Sequence, residues 1–244
     1  MSTSCLVAKF GRYLELSPGE RDMLADLEKS PRHVPAGGQV RAPGEPRELY
    51  VLHDGWAISY QLLSNGRRQI CDLHVPGDIL GMRDLGARRT NVWIDTLNDV
   101  QLCPFTKPSL SQVFAETPRV AALLLLTSTR EQALLQERIV GLGRRDAYQR
   151  LAHFLLEMMM RLFVSRTSFP RRFLFPLNQP LLADLLGLSV VHVHRTLKRL
   201  RNDHLANVSY GVAEILDLDG LAEVAEFDPV YLEEDARWIQ IPAA

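Results

Sequence analysis

Four glycines, Gly44, Gly55, Gly66 and Gly77, fall at a constant spacing of eleven residues in the first half of the chain. Short apolar runs lie between or after them: Leu49–Leu52, Trp56–Tyr60, Gln69–Leu73 and Val92–Ile94. Strands of that length at that spacing predict an antiparallel barrel or sandwich over Pro31–Phe105. Asn65-Gly66 predicts a two-residue hairpin of type I′, whose two central residues both need positive φ. Pro76-Gly77-Asp78 is a second turn. Ahead of the barrel, residues 12–30 read as a short helical lead-in with Leu14, Leu16, Met23, Leu24 and Leu27 as its apolar positions. Ser17-Pro18-x-Glu20 carries the marks of a helix start.

From Pro118 the period changes to that of a helix. Val120, Leu123, Leu124, Leu134, Leu135, Ile139 and Leu142 supply apolar positions, and no proline intervenes before Gly141. A helix of about 25 residues is long for a compact domain and leans towards packing on a partner helix. The alternative is an amphipathic helix lying on its own barrel, since Thr127–Glu131 interrupts any heptad seam with polar residues. Gly141-Leu-Gly143 predicts a break or hinge. A second periodic helix follows over Ala147–Phe163, then a polar loop over Arg166–Arg172, two shorter helices, two short strands and an acidic tail.

The two shorter helices form the informative segment. Asn178 is placed to cap a helix with Pro180 in its first turn, where the missing N–H costs nothing. Leu182, Leu185 and Leu186 give an inner face, Ala183 allows a close crossing, and Gly187 suits a left-handed helix end. Leu188 is the expected buried residue of the turn, and Ser189 caps a second helix. Val193, Leu197 and Leu200 face inward at i, i+4, i+7, which leaves Val190, Val191, His194, Arg195 and Lys198 outward. Helix, short turn with glycine, helix is a helix-turn-helix. The runs Leu205–Ser209 and Val212–Leu216 flank Tyr210-Gly211 as a small hairpin, as in a winged helix.

Charge supports a polyanion partner once it is resolved along the chain. The net charge of -1 argues against one, yet Arg144–Leu205 holds eleven Lys/Arg against four Asp/Glu, a surplus of seven positive charges. Ala206–Ala244 holds one against nine, and residues 1–143 are balanced at sixteen each. The tail beyond Leu216 is expected to be a solvated face that restrains indiscriminate binding. The longest apolar run, Val120–Leu126, is far short of the roughly 20 residues of a membrane span. The start of the sequence lacks a signal-peptide pattern. Three distant cysteines, Cys5, Cys71 and Cys103, give no disulfide framework and fit a reducing cytoplasm.

At this point the chain resembles the CRP/FNR transcription regulators. The resemblance rests on Pro-Gly-Asp-x-x-Gly at Pro76–Gly81, the long helix, and Leu-x-x-x-Leu-Gly-Leu-Ser-x-x-x-Val-x-Arg-x-Leu-x-x-Leu ending at Leu200. It implies an α+β fold: an N-terminal antiparallel β-roll of the cyclic-nucleotide-binding type, a long dimerisation helix and a C-terminal winged helix-turn-helix. The expected division is a sensor over 1–117, dimerisation helix and hinge over 118–143, and a DNA-binding domain with its acidic tail over 144–244. It further implies a homodimer on palindromic promoter sites in double-stranded DNA, with contact to RNA polymerase, and neither an enzyme nor a membrane protein.

The departures from the family pattern shape the remaining expectations. cAMP-binding members carry Gly-Glu-Leu followed by Arg-Ser or Arg-Thr. Here Gly81-Met82-Arg83-Asp84 lacks the ribose-binding glutamate, although Arg88, Arg89 and Thr90 remain as a candidate anion site. Three cysteines cannot supply the four ligands of the family's iron–sulfur cluster. His53 and His74 are candidates for a haem ligand but read as ordinary barrel residues. The expectation is therefore no cAMP, no cluster, no haem and no metal, with Cys5 the better candidate for a redox thiol. On the reading helix, Val191 stands where many members have a cytosine-reading glutamate. Val190 and Val191 then suit thymine methyls. By resemblance Arg195 is the guanine contact, and Asn178, Ser189, His192, His194 and Lys198 complete the DNA-facing set. A signalling adaptor without DNA and a metal-dependent barrel enzyme are the rival classes. His192 and His194 do not make a metal pair, because residues two apart on a helix diverge by about 200°.

Overall fold

The computed structural model describes residues 4–45, 48–163 and 170–242. They form two compact units. The first holds residues 1–61, 72–131 and 234–244, and the second holds 62–71 and 132–233.

The chain opens with α1 (Cys5–Phe10) and α2 (Pro18–Asp26), so the expected lead-in is two short helices with Gly11–Leu16 between them. The start of α2 follows the sequence reading. Ser17 Oγ accepts from the Glu20 amide, and the Glu20 carboxylate accepts from the Ser17 amide at 2.8 Å, which closes a capping box. The roll follows as β1 (Arg32–Val34), β2 (Gln39–Arg41), β3 (Leu49–Asp54), β4 (Ala57–Leu62), β5 (Arg68–His74), β6 (Ile79–Leu80), β7 (Trp93–Thr96) and β8 (Val100–Phe105), then α3 (Lys107–Glu116). Two four-stranded sheets result, in the orders β1-β8-β3-β6 and β2-β7-β4-β5, and β3 and β8 pair antiparallel at the centre of the first.

The period of two in these strands divides the core. Tyr50, Leu52, Val100 and Leu102 join Val40, Ala57 and Ile94 in a cluster between the sheets. Leu49, Val51, Cys103 and Phe105 point the other way, onto Leu6, Phe10, Leu24 and Leu123 of the helices. Each fully buried branched side chain here contributes about 1.5–3 kcal/mol of transfer free energy.

All four evenly spaced glycines adopt positive φ, between 78° and 91°. The Asn65-Gly66 turn departs from the type I′ expectation, since Gly66 has positive φ but Asn65 does not. The Leu63 carbonyl accepts from Gly66 N–H at 2.9 Å and the Leu63 amide donates to Arg67 O at 2.9 Å. This is a type I turn closed by a left-handed glycine bulge, the three-residue solution to the same hairpin.

The long helix, α4, runs over Pro118–Arg144. It stays helical through Gly141 and Gly143, so the break falls at Arg145–Asp146 rather than at the glycine pair. Its residues to Glu131 belong to the first unit and the rest to the second. Beyond it come α5 (Ala147–Phe163), β9 (Arg172–Leu174), α6 (Gln179–Leu186), α7 (Val190–Asn202), β10 (Ala206–Ser209), β11 (Val212–Ile215) and α8 (Leu218–Ala225). The polar loop expected over Arg166–Arg172 lies largely outside the described residues, and Arg172 already belongs to β9. In the second unit α5 packs on α7 and α8, α6 packs on α7, and β10-β11-β9 form a three-stranded sheet.

The acids of the tail form the expected solvated face, with only Glu234 half-buried, but the tail also packs through its apolar residues. Leu221, Ala225 and Leu232 are buried in the second unit, and Ala236 and Ile239 are buried in the core of the first. Glu234 accepts from the Tyr13 hydroxyl and pairs with Arg130. The apolar residues spaced through the tail outweigh its charge. Among the described residues no helix is long and apolar enough to cross a membrane.

Candidate functional site

The helix-turn-helix forms for local reasons. The Leu181 amide donates to Asn178 Oδ1 at 2.9 Å and the His192 amide donates to Ser189 Oγ at 3.2 Å, so both helix starts are capped as their sequences require. Gly187 ends α6 at φ 63°, ψ 36°, and the amide of Leu188 returns to Ala183 O at 3.0 Å. Leu182, Ala183, Leu185 and Leu186 are buried beneath α7, whose own inner residues are Val193, Thr196 and Leu200. Thr196 thus takes the inner place expected of Leu197, which is half-buried at the edge, and Leu188 is half-buried rather than buried.

The opposite face of α7 is open. Val190, Val191, His192, His194, Arg195 and Lys198 are all exposed, as are Asn178 and Ser189 at the helix starts. Gln179 Nε2 lies 3.5 Å from His194 Nδ1. A further basic residue of α7, Arg199, is engaged within the protein: it stacks 3.9 Å from the Tyr148 ring centroid and pairs with Asp203 at 3.5 Å. Tyr148 also donates to Asp203, so Arg199 fastens α7 to α5. Beside α7, β10 and β11 pair antiparallel around Tyr210 and Gly211, both with positive φ. Tyr210 is fully exposed at the tip. This is a wing, held by a two-residue turn that puts a tyrosine in a conformation usual for glycine or asparagine.

Several residues that position this surface are hidden from sequence reasoning. Arg150 on α5 donates to Leu186 O at 2.6 Å, to Arg145 O at 2.9 Å and to Leu142 O at 3.3 Å. One guanidinium therefore satisfies the terminal carbonyls of α6 together with those at the end of α4, where the helix dipole favours a cation. Arg68 pairs with Asp184 of α6 at 2.8 Å, and Gln69 Nε2 donates to Leu185 O at 3.4 Å. Buried Glu157 gathers Arg138 at 3.4 Å, Arg161 at 3.5 Å and the Tyr231 hydroxyl at 3.3 Å. The pKa of His153 is pushed down to about 4, chiefly by burial and then by Arg145, with Glu137 opposing. The periodicity of α5 could have flagged Glu157 and His153 as polar residues on an inner face, but not their partners.

In the first unit the candidate anion residues differ in setting. Arg88 and Arg89 are exposed, while Thr90 is buried and its Oγ1 accepts from the Val92 amide at 3.1 Å. The charged pair of this region is Arg41 with Asp84, both buried and hydrogen-bonded. Nε and Nη1 of Arg41 are buried without an acceptor. A Cβ at Gly81, with φ 94°, would meet Glu48 O at 3.0 Å and Arg41 Nη1 at 3.2 Å, so the glycine is what lets the turn close over the arginine. Cys5 does not sit in a loose end. It is half-buried in the first turn of α1, and burial with Glu28, Cys103 and Asp54 pushes its thiol up to about 11. A raised thiol is a poor nucleophile, which weighs against the expected redox role. His74 is buried with Nε2 2.6 Å from Ser59 Oγ.

Comparison with known proteins agrees with both halves of the chain. Residues 31–117 match the cyclic nucleotide-binding domain and residues 149–224 match the Crp-like helix-turn-helix domain. The nitrogen fixation regulation protein FixK of Bradyrhizobium diazoefficiens is 32% identical over 172 residues, covering 69% of this chain and 70% of that protein. The transcriptional activatory protein AadR of Rhodopseudomonas palustris is 28% identical over 215 residues, covering 88% and 89%. The structure of FixK2 from Bradyrhizobium japonicum superposes with a TM-score of 0.70 at 25% identity over 80% of this chain and 96% of that one. A capped helix-turn-helix with an open basic face, a wing, a long helix and a roll of two four-stranded sheets, taken with these similarities, place the chain in the CRP/FNR family, as a transcriptional regulator with a DNA-binding helix-turn-helix and a cyclic-nucleotide-binding-like sensor domain.

Proposed function

We propose that the protein works as a homodimer that sets one α7 in each of two successive major grooves, on half-sites about one helical turn apart. The observation that supports this most is the exposed seam on α4. Leu125, Leu135, Ile139 and Leu142 are 36–69% exposed, and with Ser128 and Gln132 they occupy the two inward positions of a heptad repeat. A second copy covers that seam. Arg195 takes guanine with a bidentate contact, Val190 and Val191 pack on thymine methyls, and Lys198, His192, His194, Ser189 and Asn178 meet phosphates or base edges. The partners are double-stranded DNA, a second copy and RNA polymerase, the setting is the cytoplasm, and no catalytic step is involved.

The sensor binds neither cAMP, an iron–sulfur cluster nor haem. Asp84 already neutralises Arg41, so a phosphate brought there would face a carboxylate. Regulation acts through α4, whose terminal carbonyls share Arg150 with α6. Any change at the end of α4 then carries α6, and with it the reading helix. Binding-site selection with purified protein tests the reading. A palindrome is expected, with affinity falling steeply as salt rises, in proportion to the phosphates neutralised. Leu135→Glu with Ile139→Glu should leave a folded monomer that has lost the palindrome preference. Selection of an asymmetric single site, or a dimer untouched by the double variant, refutes the dimer seam.

A further inference from the structure

Cys5 and His53, with Glu28 between them in sequence, come from three separate parts of the first unit: the start of α1, the residue after the C-cap of α2, and the end of β3. The fold brings their ligand atoms together. Cys5 Sγ lies 3.4 Å from His53 Nδ1, and His53 Nδ1 lies 3.4 Å from Glu28 Oε2. All three atoms fall within 4.8 Å of one another, on half-buried residues. We propose that Cys5, Glu28 and His53 form a three-ligand site for an exchangeable divalent transition-metal cation, with Zn²⁺ the best fit.

The two separations to His53 Nδ1, both 3.4 Å, are those an ion would impose, and the third ligand pair lies within 4.8 Å. Tetrahedral zinc with bonds of about 2.3 Å to sulfur and about 2.0–2.2 Å to nitrogen and oxygen sets its ligand atoms roughly 3.4–3.6 Å apart. The carboxylate is also held in place. Glu28 Oε1 accepts from the Leu6 amide at 2.7 Å and from Ser4 Oγ at 3.1 Å, and Oε2 accepts from the Cys5 amide at 3.0 Å. These bonds orient Oε2 towards His53 and leave it a lone pair for a metal. Outer hydrogen bonds of this kind preset ligand geometry in metal sites. The Cys5 thiol now donates to the His53 carbonyl at 3.3 Å; on binding, its proton leaves to the buffer and the cation takes its place on sulfur.

Donor chemistry selects the ion. One thiolate, one imidazole and one carboxylate form a borderline-soft set that suits zinc and excludes magnesium and calcium, which take oxygen alone. Three protein ligands leave a fourth position to water, the arrangement of an exchangeable site rather than a closed structural one. The site is distinct from the exposed face of α7 and from the Arg41–Asp84 pair. It would tie α1 and the end of α2 to strand β3 within the sensor unit.

The test uses the full-length, untagged protein stripped with chelator. Co²⁺ is titrated and followed by absorbance, and Zn²⁺ is titrated against a metal indicator. One ion per chain is expected, with a thiolate-to-Co²⁺ charge-transfer band that Zn²⁺ abolishes and excess Mg²⁺ leaves intact. Cys5→Ser should remove the band, and His53→Gln should weaken binding at least tenfold while keeping it. Cys71→Ser and Cys103→Ser should both bind as the parent does. Circular dichroism of each metal-free variant controls for folding, and Glu28→Gln serves as a second ligand variant if Cys5→Ser fails to fold. No band in the parent, undiminished binding by Cys5→Ser, or loss of the band in Cys103→Ser instead would overturn the assignment.

Discussion

Gly187→Ala probes the turn on which the reading helix depends. Gly187 has φ 63° and ψ 36°, and holding an L-residue there costs about 1–2 kcal/mol. The new Cβ would also lie 2.7 Å from Leu142 Cδ2, closer than real contacts allow. Leu142 is 41% exposed, so it yields by leaving its rotamer well, at about 0.5–1.5 kcal/mol. The sum is about 2–3 kcal/mol, enough to shift the midpoint of a domain of this size by roughly 10 °C. The probe matters, because all three tryptophans, Trp56, Trp93 and Trp238, lie in the first unit. Tryptophan fluorescence should therefore miss the change, while urea unfolding followed by circular dichroism and amide exchange in α6 and α7 should report it. Gly187→Asn should recover roughly half of the loss, since asparagine tolerates the left-handed region. Leu142→Ala in the alanine background should recover the steric part alone. An alanine variant within about 0.5 kcal/mol of the parent would refute the reasoning, because the turn would then not be left-handed.

Other consequences follow from the same contacts. Arg195→Ala should cost about 1–3 kcal/mol on the preferred site and relax preference at one base pair, whereas Lys198→Ala should weaken all sequences alike and lower the salt slope by about 1; a binding-site selection unchanged by Arg195→Ala rules out the guanine contact. Arg150→Met removes three charge-assisted bonds to helix carbonyls and should cost about 2–3 kcal/mol, with DNA affinity falling although no DNA-facing residue has changed. The pKa of His153 is depressed to about 4 from an ordinary 6.5. The unfolded chain therefore binds the extra proton first, and stability held above pH 6.5 should drain away as pH falls towards 4. In His153→Gln, the midpoint of thermal unfolding should lose that part of its slope. Truncation after Phe227 should lower thermal stability, because it strips Leu232, Ala236 and Ile239 from the cores they fill; an unchanged midpoint would mean the tail is only a solubilising end.

The sequence alone determined whatever is settled within a turn or two of chain. Ser17, Asn178 and Ser189 cap helices because a side-chain oxygen reaches an amide three residues on. The evenly spaced glycines mark turns because only glycine enters positive φ without penalty. The outward set on α7 is a matter of helical period. Together these settled the order of elements and which residues of α7 are exposed. Where local signals admit two solutions, the tertiary structure decided. Asn65-Gly66 closes a hairpin with either one or two left-handed residues, and Gly141 and Gly143 remain helical because their neighbours in α4 continue the hydrogen-bonded run. The acidic tail packs because Leu232, Ala236 and Ile239 find cores whose shape no local pattern encodes. The Arg41–Asp84 pair, the Arg150 bonds to two helix ends, the Glu157 cluster and the Cys5–Glu28–His53 group were likewise beyond the sequence. Each joins residues that are far apart in the chain, and a charged or ligating side chain carries no sign of its partner until packing brings the two within a few ångströms.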